Sequence, residues 1–222
     1  SGIFNGNGYT VSNLNVKGIS GDTYSYGLFG TVSGTVKHLG MDGFEFTMGS
    51  ASDARAGTIA GQVLTGGTIE NCYSIGHSVT TNSNIAGGIA GCNYGGTIRN
   101  CYAYNGSVSG YETRWGGVVG DCQDDGGAYA GTVTNCYTND ERVVSTQNDS
   151  TKITNCEVKD ASAFASGEVT YKLNGSTSDG DLIWYQTLGT HETPNFTSDI
   201  VMYSEGTYIN HTHEWIYSLG KA

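Results

Sequence analysis

The stretch Thr97-Ile98-Arg99-Asn100-Cys101 decides the fold, because it has five counterparts along the chain. They are Thr10-Val11-Ser12-Asn13-Leu14, Thr35-Val36-Lys37-His38-Leu39, Thr68-Ile69-Glu70-Asn71-Cys72, Thr132-Val133-Thr134-Asn135-Cys136 and Lys152-Ile153-Thr154-Asn155-Cys156. The β-branched residues are 25, 33, 29, 35 and 20 positions apart, too far for a hairpin and right for one coil of a solenoid. A unit of that length cannot bury its own apolar side and must stack on its neighbours.

Two further phrases keep step with the first. Gly27-Leu28-Phe29-Gly30 recurs as Thr58-Ile59-Ala60-Gly61, Gly88-Ile89-Ala90-Gly91 and Gly117-Val118-Val119-Gly120, and an apolar column runs through Phe46, Val79, Val108, Val143 and, more weakly, Ala163. Segments this short, punctuated by Gly, Ser, Asn and Thr, are strands rather than helices, so each unit reads as a triangular coil of three strands. Stacked in register about 4.8 Å apart, the coils place like over like. Val11, Val36, Ile69, Ile98, Val133 and Ile153 form one inward stack, and Leu14, Leu39 and the cysteines 72, 101, 136 and 156 another. The residues between them, such as Glu70 and Arg99, face out. Both flanks of the Asn column look inward, so the chain must bend there, and Asn accepts the left-handed backbone that such a bend needs. His38 is a polar substitute in that column, and stacked amides can bond coil to coil.

These residues carry a resemblance. The Gly-Leu-Phe-Gly phrase and its variants, each followed by Gly-Thr-Ile/Val-x-Asn-Cys-Tyr, resemble the GLUG repeat of bacterial surface and secreted proteins, over residues 2 to 158. Phe4 to Leu14 is similar to the segment that leads into such repeats. The resemblance implies an all-β chain, a right-handed parallel β-helix of about six coils over residues 1–160, on a bacterial cell envelope or secreted from it. It does not imply one activity. Gly167 to Gly175 and Trp184 to Thr190 resemble the closing segment that follows GLUG arrays in gut bacterial surface proteins, which makes 161–205 a C-terminal α/β capping segment. Within it, Ala163 to Asn174 reads as a short helix with Ser166 as N-cap and Gly175 as stop. His211-x-His213-x-Trp215 resembles the opening of a further repeat module, so 206–222 is the start of such a module or a linker, and the chain reads as a monomeric piece of a longer multi-domain protein.

Composition narrows the function classes. With 35 Gly, one Pro, 10 basic and 21 acidic residues, the net charge is -11, without the charge runs of a disordered tail. The few basic residues are dispersed, which excludes a nucleic-acid patch, and no stretch has the length of a membrane span. Cysteines stacked in one column read as buried free thiols, because parallel in-register Cβ atoms stay about 4.8 Å apart, beyond the usual disulfide range. Whether Cys92 and Cys122 pair is left open. The Cys and His spacings fit no zinc site, and no metal or cofactor is expected.

Two sets of side chains are candidates for function. Tyr73, Tyr102 and Tyr137 each follow a column cysteine, so they read as an outward aromatic strip, flanked by Tyr104 and Trp115, that lies against host or microbial glycans; the alternative is a ladder that only stabilises the sheet. The insertion between Gly120 and Thr132 brings Asp121, Asp124 and Asp125 near Glu112 and Arg114, the parts of a polysaccharide hydrolase or lyase. A calcium site from the three aspartates matches no defined loop. The favoured expectation is a noncatalytic extracellular module, a rigid, adhesin-like spacer contacting glycans or proteins, with the β-helix enzyme as the alternative.

Overall fold

A computed structural model of the chain describes residues 2–17, 24–48, 54–81, 85–122, 131–145, 152–176 and 180–211. The chain divides into two units, Ser1–Val158 and Lys159–Ala222. The first is a parallel β-solenoid, and every strand pair in it is parallel.

Four sheets, not three, make up each turn. The first holds Thr35–Asp42 and Thr68–Ile75, with Thr97–Arg99, Tyr102–Tyr104 and later strands stacked on them. The second holds Asn15–Lys17, Glu45–Met48, Ser78–Thr81 and Ser107–Ser109. The third holds Ser25–Tyr26, Arg55–Gly57, Ile85–Gly87 and Trp115–Gly116, and the fourth Phe29–Val32, Ala60–Leu64, Ala90–Tyr94 and Val119–Asp121. The glycine-rich phrase is the corner between the third and fourth sheets. Gly57 is required there, since a Cβ on it would run into the Ala60 carbonyl oxygen and the Ala90 backbone of the next layer. Thr58 Oγ1 donates to Gly88 O at 2.6 Å and ties corner to corner.

Sheets two to four are four strands deep, so the solenoid has about three full turns rather than six. Beyond them the described stacking continues mainly on the first sheet, through Thr132–Thr134 with Tyr137–Thr138 and then Ile153–Thr154 with Glu157–Val158. Val143 leaves its expected column. Its carbonyl accepts from Val118 and Val119 and Val144 bridges to Val119, so it stacks at the glycine corner, while Ala163 lies in a helix.

The left-handed column is where the repeat places it: φ is 50° at His38, 51° at Asn71, 52° at Asn100 and 53° at both Asn135 and Asn155. Asn135 Nδ2 donates to Asn100 Oδ1 at 2.9 Å, and Asn71 Nδ2 lies 3.4 Å from His38 Nε2. Val36, Ile69, Ile98 and Val133 are buried inside the bend. The first copy is out of phase, however. Phe4 pairs with Val36, whereas Val11 pairs with Met41. Each turn has a second left-handed corner, at Gly43, Gly76 and Asn105, and Asn13 belongs to that one, with Asn7 serving the first. A Thr-Val-x-Asn phrase fits either corner, so the phrase alone does not choose.

All six cysteines are free thiols. Cys72, Cys101 and Cys136 are buried, and each Sγ donates across the Asn bend to the carbonyl two residues earlier, at 3.2, 3.1 and 3.3 Å. The thiol thus adds a second, weaker donor to a carbonyl that, at Thr134, already accepts from Asn100 N of the neighbouring layer at 3.0 Å. Burial holds Cys101 and Cys136 well above the ordinary thiol pKa.

The second unit contains two short helices, Ala161–Ala165 and Glu168–Leu173. Ser166 does not open a helix; it closes the first one, whose N-cap is Asp160, accepting from Ala163 N at 2.8 Å. Gly167, at φ 89°, separates the two, and Gly175, at φ 76°, follows the second. Trp184 is buried against Phe196, and Gln186 joins Thr170, Phe164 and His191 through its side chain. Ile200–Ser204 and Thr207–His211 form an antiparallel hairpin, turned by Glu205 and Gly206 at φ 51° and 86°, the mirror-image turn that hairpins favour. His213 and Trp215 lie outside the described residues.

Candidate functional site

The tyrosine strip exists as a stack but not as a surface. Tyr73 pairs with Tyr102 and Tyr102 with Tyr137, and the first two rings lie 5.3 Å apart at 10°. Their exposures are only 9%, 0% and 2%. Tyr73 lies flat over Gly40, which offers no side chain in that column, and its hydroxyl is 2.7 Å from Thr10 Oγ1. Tyr137 donates to Asn135 Oδ1 at 2.6 Å. Tyr73 and Tyr102 cover one another, and all three rings are buried, so the strip presents almost no surface to a sugar. Tyr104 is half-buried, in register with Ile75. Trp115 is apart from the strip, on the third sheet, with the Arg142 guanidinium 4.1 Å over its ring.

Of the acidic set, Arg114 and Asp121 come together. Arg114 Nε and Nη2 lie 3.0 and 2.9 Å from Asp121 Oδ2, and Asp121 is 1% exposed. Burial works to lower the Arg114 pKa, but the hydrogen bond and charge of Asp121 leave it raised. Glu112 is exposed at a left-handed turn, φ 48°, and bonds Tyr111. Asp124 and Asp125 lie outside the described residues.

The pair sits where the third and fourth sheets meet, and register explains how. Along the third sheet Ser25 pairs with Arg55, Arg55 with Ile85, and Arg114 stands next in line, since Trp115 pairs with Ala86. Along the fourth, Thr31, Gln62, Cys92 and Asp121 are paired in succession. Ser25 Oγ donates to Gln62 Oε1 at 3.4 Å, so the columns face each other across the corner. Cys92 is buried, and burial, then the Asp121 charge, push its pKa up to about 12 despite Arg55 and Arg114. It is a neutral thiol at physiological pH, unsuited to nucleophilic attack. Beside Arg55 lies an open groove of about 500 Å³, lined by Arg55, Gln62, Leu64, Thr65 and Tyr94. The repeat reading missed these residues. Their signal was the seven-residue spacing of Arg55 and Gln62, which recurs at Arg114 and Asp121.

A serine and a histidine also meet, with Ser74 Oγ 3.1 Å from His77 Nδ1. Both are buried, so no substrate reaches them. Among the described residues no cluster of three or more His, Cys, Asp or Glu could hold a metal ion, and no helix is long and apolar enough to cross a membrane.

Comparison with known proteins places only the architecture. No family model matches the chain, and no curated protein matches it. Among solved structures it is similar to one from Bacteroides ovatus named "putative immunoglobulin A1 protease", with a TM-score of 0.52 and 21% identity, over 87% of this chain and 76% of that one. A likeness at that identity is one of fold.

Proposed function

We propose that the chain is a noncatalytic extracellular module of a bacterial surface or secreted protein, a right-handed, GLUG-type β-helix that serves as a rigid, adhesin-like spacer. The observation that carries this reading is the unbroken parallel register of layers two to four across all four sheets. A solenoid whose every strand is bonded to the layer before and after transmits length without a hinge, which suits a spacer. The buried charge and thiol at the meeting of the third and fourth sheets support a noncatalytic role. Asp121 is held by Arg114 rather than poised as an acid or base, and Cys92 is a neutral thiol.

The test is incubation of the protein with pectins, glucans, mucin glycans and glycosaminoglycans, together with immunoglobulin A. The expected result is no new reducing ends, no unsaturated-product absorbance and no cleaved chain. Product that disappears in Asp121→Asn or Asp124→Asn would replace this reading with the enzyme.

A further inference from the structure

The two charged columns repeat themselves with one difference. Arg114 faces Asp121 seven residues on, and Arg55, two layers earlier in the same column, faces Gln62 seven residues on. At one level an arginine meets a carboxylate. At the other the equivalent position holds a neutral amide, Gln62, whose Oε1 accepts from Ser25 Oγ at 3.4 Å. Among the described residues Arg55 makes no ion pair, its Nε is buried without a hydrogen-bond partner, and its guanidinium lies 5.3 Å from the centre of the Tyr94 ring. In a chain of net charge -11 with ten basic residues, an arginine held half-buried in an open groove with no counter-ion among the described residues is unusual. Among the described residues no carboxylate offsets its desolvation, and the Tyr94 ring is the neighbour that does so in part.

We propose that Arg55 is the anchor of a carboxylate-binding subsite, and that the ligand is a uronic-acid-type sugar residue whose carboxylate pairs with Arg55 from the groove, as Asp121 pairs with Arg114 from within the fold. A guanidinium presents a planar fork suited to a carboxylate. The remaining lining fits the body of a sugar: the Gln62 amide and Thr65 hydroxyl to bond ring hydroxyls, and Leu64 and the Tyr94 ring as apolar walls. Thr65 Oγ1 donates to Tyr94 O at 3.5 Å, and Leu64 pairs with Tyr94, so the two strands that build the groove are fixed to each other. One cation in an acidic protein selects a ligand with one local negative charge on a hydroxyl-rich frame, because a run of acidic side chains meets repulsion from the rest of the surface. The inference rests on the reading of the chain as a binding module.

The experiment compares wild type, Arg55→Gln and Gln62→Glu by titration calorimetry and saturation-transfer NMR. The probes are methyl glucuronide, methyl glucoside and a Glu-containing tripeptide. Gln62→Glu supplies from within a carboxylate at the groove, and so closes the subsite without removing the arginine. Both variants should fold, since the same columns carry Ser25, Ile85 and Asp121 in other layers; melting followed by circular dichroism checks this. The expected result is binding of the glucuronide but not of the glucoside, weakened at least tenfold in both variants. A silent glucuronide, equal binding by either folded variant, or binding of the tripeptide in preference to the sugar would overturn the proposal. None of these outcomes generates reducing ends, so failure here is distinct from failure of the noncatalytic reading.

Discussion

Acid should destabilise the solenoid chiefly through His77, with His38, whose pKa burial also lowers, acting in the same direction. The side chain is 2% exposed, with Nδ1 on Ser74 and Nε2 without a partner, and its ring abuts Gly106, which has no side chain to make room for water. Burial lowers its pKa from 6.5 to about 4, against a smaller opposing effect of Ser74. Between those values the unfolded chain binds a proton that the folded chain refuses, so the stability of the fold rises with pH and is lost as pH falls. The gap corresponds to about 3 kcal/mol at pH 4 and below, with little loss above pH 7. The assay is urea denaturation from pH 7.5 to 4, run on wild type and on His77→Phe, and read as the difference between the two. Phenylalanine suits the site because Phe44 fills the same column in the layer before. Asp140, whose pKa burial raises, works in the opposite direction but is present in both proteins and cancels. The difference curve should change by about 3 kcal/mol across the range, at about 1.4 kcal/mol per pH unit in its middle. Parallel curves would refute the assignment of His77 as a buried neutral imidazole.

Three further outcomes follow from the same packing. Alkylation of the denatured, unreduced protein should modify all six cysteines by mass spectrometry, and in the native protein Cys101 and Cys136 should react far more slowly than a free thiol at the same pH; a mass lower by two alkyl groups would reveal a disulfide. Asn135→Ala should cost about 1–3 kcal/mol in urea denaturation, since it places a Cβ-only residue at φ 53° and removes the bonds to Asn100 and Tyr137, whereas Asn135→Gly, free of the backbone strain, should cost less; equal losses would move the effect to the amide alone. Asp121→Asn should lower stability by about 1–3 kcal/mol in the same assay, because it leaves Arg114 beside a neutral group, and an unchanged midpoint would show that the pair contributes nothing.

The Asn bends were legible in the sequence because a left-handed residue leaves a mark in the side chain: His38, Asn71, Asn100, Asn135 and Asn155 all hold φ near 50°. The phase of the first copy was not, because Asn7 and Asn13 are equally good left-handed residues and only pairing with Thr35–Asp42 tells which corner each one turns. The fourth sheet was hidden for a related reason. Its corner with the third is made of glycines, chosen for the close approach of backbones, and glycine carries no in-out alternation. Alternation also failed for Tyr73, Tyr102 and Tyr137: it places a side chain on a face but says nothing of what else lies there, and here the rings lie flat over Gly40 and over one another. Arg55 and Gln62 are far apart in any local reading, and their relation to Arg114 and Asp121 emerges only once the layers are in register.

The in-register parallel stack is tested most directly by placing the same charge at two adjacent positions of one strand. Ile98 is fully buried between Ile69 and Val133, while Arg99 is half-exposed and paired with Glu70 on the outer face. Thermal denaturation followed by far-ultraviolet circular dichroism should show no cooperative transition for Ile98→Asp, which buries an unpaired carboxylate at a cost of about 4 kcal/mol or more, and a cooperative transition within a few degrees of wild type for Arg99→Asp. Two variants that melt alike, whether both folded or both unfolded, would contradict the register on which the solenoid, the groove and the carboxylate site all depend.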